Sequence, residues 1–78
     1  MIELLLGIIV GLVVADLVIL FLGEGKSQWI TLIIIESGIM AAEIGLAAIN
    51  YVQGEDFWGN IAFAAIWLIN VLLDATKL

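Results

Sequence analysis

Residues 29–51 read WITLIIIESGIMAAEIGLAAINY, and this stretch decides the fold. At a rise of about 1.5 Å per residue, it is long and apolar enough to cross a bilayer as a single α-helix. Trp29 and Tyr51 stand at its two ends, where aromatic side chains favour the membrane interface. The stretch therefore predicts a membrane-spanning helix.

Two carboxyl side chains lie inside this apolar stretch. Glu36 and Glu43 are seven residues apart, which on a helix is within about 20° of two full turns, so both acids share one face. Asn50 continues the same stripe. The roughly opposite face carries small residues, which let membrane helices approach closely: Gly38, Ala41, Ala42, Gly45 and Ala48.

The composition of the chain indicates an integral membrane protein. Hydrophobic residues make up 65% of its 78 residues, and the mean hydropathy is +1.31. This length allows a single domain, residues 1–78. The formal net charge of −6 argues against a nucleic-acid partner and against docking on anionic headgroups.

The chain contains no cysteine and no histidine. The absence of cysteine excludes disulfides, thiol catalysis and iron–sulfur ligation, and the absence of histidine argues against imidazole-bound haem or chlorophyll and a typical zinc site. The sequence shows no nucleophile–base pair and no metal-ligand cluster. We expect no cofactor and no enzyme, but at most a non-catalytic subunit of a membrane enzyme complex.

Two further apolar segments flank the central one. The predicted fold is all-α, with transmembrane helices over residues 2–22, 29–52 and 57–74 joined by short loops, and Ser27 is a candidate N-cap of the second helix. The first segment has no positive residue at its start, so we expect a retained membrane helix rather than a signal peptide. Its Gly7-x-x-x-Gly11 spacing offers a groove for helix packing.

The two basic residues predict the orientation. Three crossings put the first loop and the C-terminus on the same side, and these segments hold Lys26 and Lys77. The opposite side carries acids without a lysine or arginine. The positive-inside rule then predicts a multi-pass protein of the cell membrane, with the first loop and the C-terminus in the cytoplasm.

The polar residues of the three helices fall into groups according to their depth in the membrane. Counting from the helix centres places Asp16, Glu36 and Asn70 at one level, about 6 Å toward the first loop. Glu43 lies in the other half of the membrane. An ionised side chain at such depth costs roughly 2.5–3.5 kcal/mol on insertion scales. Because the spans hold no basic residue, the acids must be protonated, ion-bound, hydrated or paired with another chain.

These conditions are typical of a proton relay or a cation site, with Asp16, Glu36 and Glu43 as candidate groups. The alternative is that protonated acids and asparagines simply join helices through hydrogen bonds worth about 1 kcal/mol each. For Asn50, Asn60 and Asn70, packing or an interhelical hydrogen bond is the preferred interpretation, and Asn50 and Asn60 fall at equal depth near the outer surface.

The layout resembles a known family. A small chain of three membrane helices with a glutamate midway along the second is similar to the K-type subunit of complex I and to the small subunits of multisubunit cation/proton antiporters and membrane-bound hydrogenases. The local basis is Ile33-Ile34-Ile35-Glu36, followed by Met40 and Ala41-Ala42. The resemblance implies that Glu36 is a proton-relay carboxylate. The chain differs from that family in lacking basic loops and a mid-membrane acid on the third helix.

A second resemblance concerns Ser37. The segment Glu36-Ser37-Gly38-Ile39-Met40 is similar to the cation-binding segment of rotary ATP synthase ring subunits, in which a Glu–Ser pair helps hold sodium. The chain lacks that family's dense glycine repeat and its Arg-Gln-Pro loop. Only Ser37 is retained from this comparison, as a candidate oxygen donor beside Glu36.

Two functions follow as expectations. The first is a small subunit of a proton- or sodium-translocating membrane complex, whose partners are the lipid bilayer and other membrane subunits. The second is a self-assembling structural protein, such as a conjugation-type pilin or a holin, whose partners are identical copies. In the second case the polar stripes and the glycine faces would be subunit contacts.

Overall fold

The computed structural model describes residues 2–78 and contains three helices in chain order: α1 (Ile2–Leu22), α2 (Gly25–Val52) and α3 (Trp58–Ala75). Each helix is long and apolar enough to cross a membrane. The prediction of an all-α fold with three long apolar helices is therefore confirmed.

The helix bounds differ from the predicted ranges mainly at the start of α2. This helix begins at Gly25, four residues before the predicted start, and Glu24 is its N-cap residue without a side-chain cap. The Ser27 hydroxyl instead donates to the Glu24 carbonyl at 3.3 Å, so the prediction that Ser27 is the N-cap was wrong. Gly25 has a φ of 72°, which glycine adopts without strain, and it lets the chain reverse within two residues.

The three helices lie side by side, with α2 in the middle. α2 packs against both neighbours, whereas no Cα atom of α1 lies within 8 Å of a Cα atom of α3 in the described chain. The extents of 44 × 22 × 13 Å fit such a row, because two interaxial spacings of about 8–10 Å plus the backbone diameter of one helix, about 4.6 Å, give roughly 22 Å. The core therefore lies on the face of α2 that carries the buried residues Leu32, Ile39 and Leu46, and we call this face the inward face of α2.

The glycine face of α2 packs against α1. A Cβ atom added to Gly38 would lie 3.3 Å from Leu12 Cδ1, and one added to Gly45 would lie 3.7 Å from Leu5 Cδ1. Both pairs are seven residues apart on their helices, so the two helices pack antiparallel with a constant register. The predicted packing role of the α2 glycines is therefore observed within the chain.

The glycines of α1 have a different environment. A Cβ atom added to Gly7 or Gly11 would meet no atom within 4 Å, and both residues lie on the exposed side of α1. The Gly7-x-x-x-Gly11 groove is thus not used for packing among residues 2–78.

The first turn is held by a side chain of α2. The Gln28 amide donates to the Ile19 carbonyl at 3.2 Å and to the Leu20 carbonyl at 2.9 Å. The last carbonyls of a helix have no partner within the helix. Gln28 therefore supplies a hydrogen-bond donor to the last carbonyl groups of α1 and ties the start of α2 to the end of α1.

Two sets of contacts form the second turn, which joins α2 to α3. Gly54 has a φ of 73°, and the Glu55 amide donates back to the Asn50 carbonyl at 2.8 Å, which ends α2. The Trp58 amide then donates to the Asp56 carboxylate at 3.1 Å, so Asp56 satisfies the start of α3 as the sequence predicts. These contacts set the register between α2 and α3.

Candidate functional site

The three acids that the sequence places within the spans are all buried. Asp16 is 9% exposed, Glu36 is 4% exposed and Glu43 is 8% exposed. Asp16 is the only buried residue of α1, and both glutamates lie on the inward face of α2. The structure divides these acids between two separate polar clusters.

The first cluster contains one carboxyl group from each helix. The carboxyl groups of Asp16 on α1, Glu36 on α2 and Asp74 on α3 lie close enough to interact electrostatically. We call Asp16, Glu36 and Asp74 the carboxyl cluster. Because α2 lies between α1 and α3, an acid of α1 and an acid of α3 can approach each other only across the inward face of α2, where Glu36 lies.

Each member of the carboxyl cluster has one buried oxygen without a hydrogen-bond donor: Asp16 Oδ1, Glu36 Oε2 and Asp74 Oδ2. An unsatisfied buried polar atom typically costs about 1–3 kcal/mol, and more when it is charged. Three ionised carboxylates at this place would also repel one another. The cluster therefore requires a proton, a cation or water.

The lysines of the chain lie elsewhere. Lys77 Nζ lies over the Trp29 ring, 5.7 Å from its centroid, and Lys26 is exposed in the first turn of α2. Neither donates to the unpartnered oxygens of the carboxyl cluster. Its negative charge is consequently not neutralised by a basic side chain among residues 2–78.

The second cluster is a chain of hydrogen bonds between α2 and α3. The Asn50 side-chain amide donates to the Asn60 carbonyl oxygen at 3.0 Å, and the Asn60 amide donates to Glu43 Oε2 at 3.0 Å. We call Asn50, Asn60 and Glu43 the amide chain. It contains the Asn50–Asn60 pair that equal depth predicts, and it supplies Glu43 with a donor that Glu36 lacks.

An apolar layer separates the carboxyl cluster from the amide chain. Glu36 and Glu43 are seven residues apart, or about 10 Å along the axis of α2. Ile39 lies between them on the same face and is 0% exposed. The inward face of α2 thus alternates polar residues at 36, 43 and 50 with apolar residues at 32, 39 and 46.

Two residues predicted to support the site lie outside both clusters. Asn70 is half-buried, and Ser37 is half-buried on the side of α2 about 100° from Glu36. Neither makes a side-chain hydrogen bond with another residue in the range 2–78. The place expected for Asn70 beside Glu36 is taken by Asp74, one helical turn further along α3.

Sequence reasoning missed Asp74 as a member of the site, although a signal was present. Asn60, Trp67 and Asp74 repeat every seven residues and mark a polar edge of α3. Depth along the third helix selected Asn70 for the level of Glu36 and did not include Asp74. In the structure Asp74, one turn further along α3 than Asn70, lies near Glu36.

The carboxyl cluster is the strongest candidate for a functional site, because it combines burial, unsatisfied oxygens and contributions from all three helices. Among residues 2–78, no group of three or more Asp, Glu, Cys or His side chains has the geometry to hold a metal ion. No known protein family matches the chain, and no curated protein or solved structure is significantly similar to it.

Proposed function

We propose that this chain is a small integral membrane subunit of a multi-subunit complex that translocates protons or sodium ions. The single observation that carries the proposal is the carboxyl cluster, in which Asp16, Glu36 and Asp74 meet between the helices without a basic partner. Ionisable groups within a membrane span are expensive to bury, and they mark ion or proton pathways in many transporters.

The amide chain supports a division of roles. Glu43 accepts a hydrogen bond from Asn60, so one of its oxygens is already satisfied by the protein. Glu36 has a buried oxygen that still lacks a donor. We therefore assign Glu36 as the principal relay group, with Asp16 and Asp74 beside it. Glu43, which lies nearer the opposite membrane surface, is a second relay group.

We place the chain in the cell membrane as a three-span protein, with the first loop and the C-terminus in the cytoplasm. The contact between Lys77 and Trp29 brings the C-terminus beside the start of α2, so the two lysines lie at the same end of the helix row. This agrees with the positive-inside rule. The outer faces of α1 and α3 are covered by lipid and by neighbouring subunits.

The second candidate is a multi-copy structural protein of the pilin or holin type. It is favoured by the open Gly7 and Gly11 face of α1, because small-residue grooves allow membrane helices of neighbouring copies to pack closely. In that case the carboxyl cluster would be a structural contact and would not move ions.

Stoichiometry separates the two candidates. The tagged chain would be isolated in mild detergent from membranes that naturally contain it, and its partners and copy number would be measured by native mass spectrometry. We expect one copy among unlike membrane subunits. Many identical copies with ring or helical symmetry would replace the first proposal with the second.

Ion uptake by sealed vesicles tests the role of the cluster directly. We expect Glu36→Gln to abolish uptake while the complex still assembles. Glu55→Gln is the matched control, because Glu55 is an exposed acid of the second turn. Full uptake by the Glu36→Gln complex would contradict the proposal.

A further inference from the structure

We infer that the groove between the end of α2 and the start of α3 is a binding site for a phospholipid with an ammonium headgroup, such as phosphatidylcholine. The acyl chain of the lipid lies in the groove, and its headgroup lies beside Asp56 and the neighbouring aromatic rings. The site is separate from the carboxyl cluster and from the amide chain. It requires a membrane around the three long apolar helices, but it does not require ion translocation.

The groove lies on the exposed side of α2, at the end of the helix that leads into the second turn. Its volume is about 310 Å³. Ala47 and Ala48 leave this space open because their side chains end at Cβ, and the larger side chains of Ile44, Tyr51 and Ile61 border it. The lining is apolar, and the volume is at the lower end of the roughly 300–1,000 Å³ found for ligand-binding clefts.

The length of the groove fits an acyl chain. Its α2 residues extend from Ile44 to Val52, which is about 12 Å along the helix axis, and Val52 and Phe57 line the end next to the second turn. Ile44 is 50% exposed and Val52 is 82% exposed. An acyl chain covers such a surface through apolar contacts alone, and it runs across the bilayer in the same direction as the helix. Its headgroup then lies at the second turn.

Aromatic rings surround the end of the groove at the second turn. The rings of Tyr51 and Phe57 pack edge to face with centroids 5.4 Å apart, and the rings of Phe57 and Trp58 lie 4.7 Å apart. Tyr51 and Trp58 each remain about two thirds exposed, so their rings are open to a ligand. The faces of aromatic rings attract ammonium groups, and choline is a common ligand of such clusters.

Asp56 adds negative charge at the same end of the groove. It is exposed and directly precedes Phe57. Its Oδ1 accepts a hydrogen bond from the Trp58 amide at 3.1 Å, and this is its one side-chain hydrogen bond within residues 2–78. The lysines lie at the other end of the helix row, where Lys77 contacts Trp29. The turn therefore attracts an ammonium group and repels an anionic headgroup.

Native mass spectrometry of the full chain in mild detergent tests the headgroup. The chain would be titrated with dioleoyl phosphatidylcholine or with dioleoyl phosphatidylglycerol, which have the same acyl chains and differ in headgroup charge. We expect the choline lipid to bind about fivefold more tightly. We expect Asp56→Asn to reduce this ratio to below about twofold, because asparagine keeps the N-cap oxygen for Trp58 and removes the charge.

Ala48→Leu tests the groove itself. The larger side chain fills the space beside Ala47, so we expect the affinity for both lipids to fall by about fivefold. Ala41→Leu is the matched control, because Ala41 is exposed on the same face of α2, seven residues earlier, and does not line the groove. We expect this variant to bind both lipids like the wild type. Far-UV circular dichroism should show that every variant stays helical.

The possible results separate the lipid from other occupants of the groove. Preference for the choline lipid that is lost in Asp56→Asn, with weaker binding by Ala48→Leu, would support the site. Equal affinity of the wild type for the two lipids, or full affinity of a helical Ala48→Leu chain, would overturn it. Wild-type dimers that exclude both lipids and dissociate in Ala48→Leu would assign the groove to a second copy and would also overturn it. If Ala48→Leu does not fold, the comparison of the wild type with Asp56→Asn, a substitution in the exposed turn, still tests the site.

Discussion

Glu36 and Asp74 meet across the α2–α3 interface in the same register as Asn50 and Asn60. Fourteen residues separate Glu36 from Asn50 on α2, and fourteen separate Asn60 from Asp74 on α3, in the antiparallel sense. Two polar contacts about four turns apart therefore define one alignment of the helices. A slip of α3 by one turn would break both contacts.

The amide chain should contribute measurably to stability. We expect Asn60→Leu to lower the free energy of unfolding by about 1–2 kcal/mol, because it removes the donor to Glu43 and the acceptor of Asn50. Unfolding in mixed micelles, followed by circular dichroism, measures the change.

Asn70→Leu is the matched control on the same helix. Asn70 is half-buried and makes no side-chain hydrogen bond within residues 2–78, so we expect a change below about 0.5 kcal/mol. Equal effects of the two substitutions would show that the amide chain does not hold α3 in place.

Substitutions at Glu36 should separate fold from function. Glu36→Gln keeps a polar side chain near Asp74, so we expect the complex to assemble and to lose ion uptake. Glu36→Leu removes the polar group near Asp74, and we expect a loss of about 1 kcal/mol of stability in addition. Unfolding and vesicle uptake measure the two effects. If Glu36→Gln retained uptake while Glu36→Leu prevented assembly, Glu36 would be a structural contact only.

The two glycine faces should respond differently to a large side chain. We expect Gly38→Leu to cost about 1–3 kcal/mol, since an added Cβ already lies 3.3 Å from Leu12. Gly11→Leu should leave the folded chain unchanged in detergent, because the space around Gly11 is open. Chemical cross-linking of the Gly11→Leu variant in membranes then tests the second candidate function: loss of homo-oligomers would favour self-assembly through α1.

The first turn depends on one amide side chain. We expect Gln28→Ala to lower stability by about 1 kcal/mol, because the carbonyls of Ile19 and Leu20 lose their donor. Gln53→Ala is the control at the other turn, where the contacts of residue 53 are made by its backbone. Thermal unfolding in detergent measures both variants, and an unchanged midpoint for Gln28→Ala would contradict the capping role.

The fold follows from the sequence because its determinants are local. Runs of about 20 apolar residues interrupted by glycine-containing turns predict three helices, and aromatic residues mark their ends. The inward face of α2 is likewise local, since Glu36, Glu43 and Asn50 fall on one stripe by spacing alone. The burial of Asp16 opposite Gly7 follows from the same periodicity.

The composition of the site depends on features that are not local. Depth counting assumes that the helix centres align, and this assumption assigned Asn70 to the level of Glu36. In the structure Asp74 instead lies near Glu36. The earlier start of α2 was missed for a similar reason, because the role of Gln28 as a cap for α1 depends on how the two helices pack.

Labelling of the chain by a membrane-permeable carbodiimide tests the central claim most directly, because this reagent modifies protonated carboxyl groups in apolar surroundings. Mass spectrometry of peptides from labelled membranes would locate the product. The carboxyl cluster predicts modification at Glu36 or Asp74, faster at lower pH, with Glu43 spared by its bond to Asn60. Labelling confined to the exposed acids Glu3, Glu24 and Glu55, with both cluster residues unmodified at every pH, would contradict it.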